Sequence, residues 1–232
     1  MLTAVDVHSA YGSVPVLNGV SFHIRSGERV AILGRNGMGK TTLLRTVMGF
    51  LQCIQGKLEF NGRDITRLPP HKRARMGLGY VPQGREVFPG LTVRENLLMG
   101  AVATGVQKDR LEWILEQYPR LRERLTQRAG TMSGGEQQIL SFGRALISDP
   151  SVLLLDEPTE GVQPSIVAEI QEDLLKNNEK LGVTIVVVEQ NMEFATRVAQ
   201  RIYLMVKGNI VRELSVNQLR DDPQIISEYL GV

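Results

Sequence analysis

The stretch RVAILGRNGMGKTTLLRTVMGF, Arg29 to Phe50, constrains the fold of this chain more than any other. A short, unbroken apolar run suits a strand covered on both faces, as strands of parallel sheets are. It leads into Gly34, four further residues, Gly39, Lys40 and Thr41, and then into a segment with helical spacing. That order of strand, glycine-rich loop and helix has a chemical use. Glycines let successive backbone N–H groups turn inward as an anion nest. The positive end of the following helix adds to it. Lys40 would reach the β- and γ-phosphates of a nucleotide as a point charge, and the Thr41 hydroxyl is placed to ligate Mg2+. The candidate phosphate-binding set is Gly34, Arg35, Asn36, Gly37, Met38, Gly39, Lys40, Thr41 and Thr42.

The rest of the chain is organised around this unit. The first ~30 residues alternate apolar and polar positions and predict antiparallel strands. GKLEFNGRDI predicts a hairpin turning at Asn61-Gly62, and LGYVPQ returns as a strand. From Leu91 onward the pattern turns helical, in TVRENLLMGAV, DRLEWILEQYPRLRERL and GGEQQILSFGRALIS. SVLLLDE and VTIVVV are further buried strands, separated by a helix that ends at Gly182. RIYLMVKGNIVREL predicts a hairpin tipped by Lys207-Gly208-Asn209, and the tail two short helices. Buried strands alternating with helices imply an α/β fold with a parallel sheet.

Composition acts mainly by exclusion. Lys and Arg total 27 against 25 Asp and Glu, for a net charge of +2. That leaves no electrostatic case for a dedicated nucleic-acid binder, so no nucleic acid is expected as a partner. Cys53 is the only cysteine, which excludes an internal disulfide and fits a reducing compartment. The longest apolar runs fall far short of the ~20 residues needed to span a bilayer. The N-terminal MLTAVDVHSAYG lacks the layout of a signal peptide. Any spanning part is expected on other chains.

A phosphate loop needs a carboxylate partner on another buried strand, and VLLLDE supplies it. Asp156 can hold Mg2+, and Glu157 can orient or deprotonate an attacking water. The pair points to nucleotide hydrolysis. A second feature is less expected. In MSGGEQQ, Ser133, Gly134 and Gly135 open a helix and make another anion-ready N-terminus with a hydroxyl. One nucleotide on one loop cannot fill both places, so the second site reads as completing the pocket of another copy.

In this order and spacing, GRNGMGKTT, VPQ, MSGGEQQ and VLLLDEPT resemble the ATPase subunit of an ABC transporter over essentially the whole chain. The resemblance implies one ABC-type ATPase domain over 1–232, of the P-loop NTPase fold. It implies an N-terminal antiparallel β subdomain and an inserted α-helical subdomain at about 91–140. It also implies ATP and Mg2+ as cofactors, and a head-to-tail dimer with two ATP molecules sandwiched at the interface. Tyr11 in SAYGS matches the aromatic residue that stacks on adenine. Gln83 in VPQ matches the glutamine that senses Mg2+ and links to the helical subdomain. The implied partners are transmembrane permease subunits and a second ATPase subunit, usually a different chain in the resembled group. A periplasmic or extracellular solute-binding protein is implied indirectly. The permease would dock around Gln83, with Phe88 and Leu91 as candidate contacts. The place implied is the cytoplasmic face of the cell membrane, as a peripheral subunit.

Two positions depart from the common family pattern. VEQNM stands in place of Thr-His-Asp, so Gln190 takes the place of a γ-phosphate-contacting histidine. PTEGVQP puts Gln163 where many relatives carry Asp. VEQNM resembles the ATPases that drive uptake of branched-chain amino acids and their amide relatives. RNGMGKTT and DEPTEGVQPSIV resemble the urea-uptake type among them. Two other readings stay open at this point. One is a non-transport ABC ATPase, for example in iron–sulfur assembly. The other is an ATP-gated dimerisation module without turnover, against which Asp156 and Glu157 argue.

Overall fold

A computed structural model of the chain describes residues 1–105 and 108–221. Its centre is a six-stranded sheet. Strand β3 (Arg29–Leu33) pairs in parallel with β8 (Thr184–Glu189) and β9 (Arg201–Val206), β8 with β7 (Val152–Asp156), and β7 with β6 (Leu78–Val81). One antiparallel strand, β10 (Asn209–Ser215), closes the edge, giving the order β10-β9-β3-β8-β7-β6. The unbroken apolar character of β7 and β8 has a simple cause, since every residue in both is buried.

The two faces of that sheet carry two cores, sorted with a period of two. Leu153, Leu155, Ile185 and Val187 face one core with the helices. Val152, Leu154, Val186 and Val188 face the other, with α1 (Lys40–Met48) and a second sheet. The second sheet is antiparallel, ordered β2 (Val14–Ile24), β1 (Leu2–Tyr11), β4 (Gln55–Phe60), β5 (Arg63–Asp64). The expected hairpin turn is there: Asn61 and Gly62 both take positive φ, 51° and 73°, as a two-residue type I′ turn requires. The alternation of β1 is interrupted. Val5 is exposed and Asp6 has φ 50°, where the pairing with β2 shifts register between Ala4 and Val7. A bulge there returns Val7 to the core.

Between β6 and β7 lie α3 (Val93–Gly100), α4 (Lys108–Gln117), α5 (Pro119–Glu123) and α6 (Gly134–Leu146). Helices α3 and α6 both begin with a complete capping box, Thr92 with Glu95 and Ser133 with Glu136, which satisfies backbone donors at both starts. Helix α7 (Pro164–Leu181) ends at Gly182, φ 68°. Two short helices, α2 (Pro70–Arg75) and α8 (Met192–Val198), have too little apolar periodicity to be read from sequence. The β9–β10 tip consists of Lys207 and Gly208, while Asn209 already belongs to β10. Of the two tail helices expected, α9 (Val216–Asp221) is described, and the second falls outside the described residues. No helix among the described residues is long and apolar enough to cross a membrane.

Candidate active site

The phosphate loop joins β3 to α1 and is braced from outside. The Gly208 N–H donates to Met38 O at 2.9 Å, so the β9–β10 tip holds the loop from one side. Gly34 lies against the Met205 carbonyl, where any Cβ would collide. Gly39, at φ 101°, starts α1 in a left-handed conformation that L side chains resist. No side chain caps this helix start, so its first N–H groups are left for a ligand.

Lys40 is buried and its ammonium donates to Gly34 O at 2.8 Å and Arg35 O at 3.1 Å. It also lies 2.9 Å from Glu157 Oε1, with the two side chains 3% and 6% exposed. The cation expected from the sequence to bind phosphate is thus paired with the carboxylate expected to address water. Thr41 Oγ1 donates to Asp156 Oδ1 at 2.9 Å, and the Tyr80 hydroxyl donates to Asp156 Oδ2 at 2.9 Å. Burial pushes the Asp156 carboxyl up, and those two hydroxyls pull it back. Glu157 follows with φ 44°, a costly conformation for a non-glycine residue, of the kind that clusters at active sites. Its N–H is held by Val188 O at 3.0 Å.

The remaining candidates are placed unequally. Gln83 Nε2 donates to Glu160 Oε2 at 2.7 Å and Glu157 Oε2 at 3.3 Å, so it reaches the candidate base rather than the Thr41–Asp156 pair. Gln190 has an exposed side chain beyond the end of β8, and its N–H donates to Glu189 Oε2. Tyr11, at the end of β1, is 45% exposed and does not line the phosphate-loop cavity. Arg35, Asn36 and Gly37 are exposed on the loop, while Thr42 is buried beneath it.

Ser133, Gly134 and Gly135 lie elsewhere on the surface. Ser133 Oγ accepts from the Glu136 N–H, and Glu136 is held by Arg124 at 2.9 Å. The Arg85 guanidinium covers Gly134 and donates to Gly161 O at 2.8 Å. Arg85 and Glu86 both take positive φ, 73° and 37°.

Sequence reasoning missed several contacts at the candidate site. Tyr80 sits three residues before Gln83, and nothing in LGYVPQ marks its hydroxyl as a partner for Asp156. The buried Glu189 accepts two hydrogen bonds from the half-buried Thr159. The only signal was an acid closing an otherwise apolar strand. Burial pushes the Glu189 carboxyl up, against four donated hydrogen bonds.

Strand, loop, carboxylate pair and serine-capped helix together define an ATP-binding cassette. A family model described as ABC transporter matches residues 17–160, and the chain belongs to that family as an ATP-binding subunit, an ATPase. It is 43% identical over 236 residues to the high-affinity branched-chain amino acid transport ATP-binding protein BraG of Pseudomonas aeruginosa, with 100% of both chains covered. It is 36% identical to the probable branched-chain amino acid transport ATP-binding protein LivF of Archaeoglobus fulgidus, covering 100% of this chain and 99% of that one. Among solved structures, a nucleotide-free cassette from an ABC transporter superposes with TM-score 0.88 at 26% identity, covering 100% and 98% of the two chains. A dimeric post-hydrolysis cassette bound to ADP and Pi superposes with TM-score 0.83 at 25% identity, covering 93% and 99%.

Proposed function

We propose that this chain binds and hydrolyses MgATP at the interface of a head-to-tail pair, and so powers solute import through separate permease subunits. One observation carries the pairing. The cavity at the phosphate loop, about 280 Å3, and the cavity at Ser133–Gly135, about 670 Å3, have no lining residue in common. The phosphate loop is exposed at Arg35, Asn36 and Gly37, so a nucleotide held there keeps an open side for a second wall. The Ser133 helix of another protomer offers one, because a helix N-terminus favours an anion. The solved cassette with ADP and Pi is itself a dimer.

Each residue then has a task. Lys40 exchanges Glu157 for the β- and γ-phosphates. Glu157, so released, orients and deprotonates the attacking water. Gln190 bridges water and γ-phosphate through an amide that both donates and accepts but cannot become a cation. Tyr11 stacks on adenine. Thr41 and Asp156 suit a hard cation: both present oxygen, and the fully buried Asp156 is partnered by hydroxyls. They would hold Mg2+, whose charge would neutralise phosphate oxygens, and Gln83 would join them only by leaving Glu157 and Glu160. As a switch from 1:99 to 99:1, ATP must favour the closed pair by roughly 5.5 kcal/mol. Several charge-assisted hydrogen bonds at ~1.5–3 kcal/mol each reach that.

A groove of about 450 Å3 runs outward from Thr41 and Asp156 past Tyr80 and Gln83, and the permease docks at the cytoplasmic face of the membrane on its outer end, where Phe50, Phe88 and Met99 are exposed. Phe88 belongs to this groove, whereas Leu91 is half-buried and not part of its lining. The second subunit is a related ATPase, and the solute belongs to the branched-chain amino acid and amide group. The motifs RNGMGKTT and DEPTEGVQPSIV favour urea within it. The relatives reported above carry branched-chain amino acid names, so uptake of labelled urea against leucine by the reconstituted system decides.

The test of the site is Glu157→Gln. It should bind ATP, dimerise in light scattering and scarcely hydrolyse. A protein that stays monomeric in saturating ATP would overturn the sandwich.

A further inference from the structure

We propose that Glu189 is a positioning residue of the hydrolytic site, holding the turn that carries Glu157 and the segment that carries Gln190 in one fixed relation. The inference rests on the roles proposed above for those two residues. Glu189 ends β8 and is 1% exposed. Its Oε1 accepts from the Thr159 N–H at 3.1 Å and the Thr159 hydroxyl at 2.7 Å. Its Oε2 accepts from the N–H groups of Gln190 and Asn191, both at 3.0 Å. Each oxygen therefore serves one segment.

The two segments flank the place where water must attack. Thr159 lies inside the turn closed by the Glu160 N–H on Glu157 O at 3.2 Å. Asn191 in turn caps α8 through the Phe194 N–H at 3.0 Å. No cation pairs with Glu189 among the described residues. A carboxylate buried this way is tolerable only when donors surround it. An apolar residue would continue the buried strand at no such cost. The acid is explained by what it holds. The uncharged amide of Gln190 depends on orientation, and Glu189 fixes the backbone that carries it through the Gln190 and Asn191 N–H groups.

Glu189→Gln is the discriminating substitution. Its one amide oxygen can serve one segment, and its NH2 then faces the N–H donors of the other. We expect kcat to fall about tenfold or more with KM for ATP within about twofold, the signature of an interaction made in the transition state. Thr159→Val should lower kcat about threefold, Thr159→Ser should restore most of that loss, and Thr159→Val should add little in the Glu189→Gln background. A Glu189→Gln enzyme with kcat within twofold of wild type overturns the proposal, as does a rise in KM that accounts for the whole loss. If Glu189→Gln does not fold, the Thr159 pair decides: equal kcat for Val, Ser and wild type sinks it. An active Glu157→Gln would instead refute the underlying base assignment.

Discussion

At the scale of single residues, the structure resolves a conflict that the motifs leave open. Lys40 and Glu157 are both proposed to address the nucleotide, yet they are buried against each other at 2.9 Å. Removing one member of a buried pair exposes the other to the full cost of desolvation, ~3–5 kcal/mol in general. Here the two carbonyls on Lys40 reduce that to ~1–3 kcal/mol. Glu157→Gln should therefore melt several degrees below wild type without nucleotide, and ATP should raise its melting temperature by more than it raises that of wild type. Thermal-shift curves with and without ATP check this, and equal stability of the two apo proteins would argue against the pairing. That Lys40, Thr41, Asp156 and Glu157 come together was legible because phosphate and metal chemistry restricts residue type and spacing. Tyr80 and Glu189 were not, because a hydroxyl or carboxylate that holds another residue leaves no spacing rule in the chain.

At the scale of elements, most strands and long helices follow from periodicity, while the seams between elements do not. Asp173 on α7 meets the buried Tyr118 between α4 and α5. Burial chiefly lifts the Asp173 carboxyl to about 6. Glu169 and Glu172 act the same way, against Lys176 and the Tyr118 hydroxyl. The folded value lies above the unfolded value of 3.8, so the folded form holds the proton to higher pH. That contribution to stability is full below pH 3.8 and is lost as pH rises through about 6. Asp173→Asn mimics the protonated form. Its melting temperature relative to wild type should rise from pH 4 to pH 7, and a difference that does not change with pH would refute the seam. Helices α2 and α8 mark the other limit, since six and seven residues are too few for a helical period to show.

At the scale of the whole molecule, the two anion-ready surfaces stand apart on one chain, and function is proposed to require a second. In a Glu157→Gln background, Ser133→Arg should leave ATP affinity unchanged and abolish the ATP-dependent dimer seen by light scattering. Loss of nucleotide binding by the monomer would place Ser133 in the wrong pocket. The sequence by itself determined the class of fold and singled out the residues proposed to handle phosphate. Short apolar runs rich in β-branched residues and alternating with helices point to a sandwiched parallel sheet, and a glycine loop before Lys-Thr leaves few alternatives to a phosphate. Only the tertiary structure decided that Lys40 waits on Glu157, that Tyr80 holds Asp156, and that Glu189 ties Thr159 to Gln190. Those are contacts between segments far apart in the chain, where geometry rather than local pattern selects the partner.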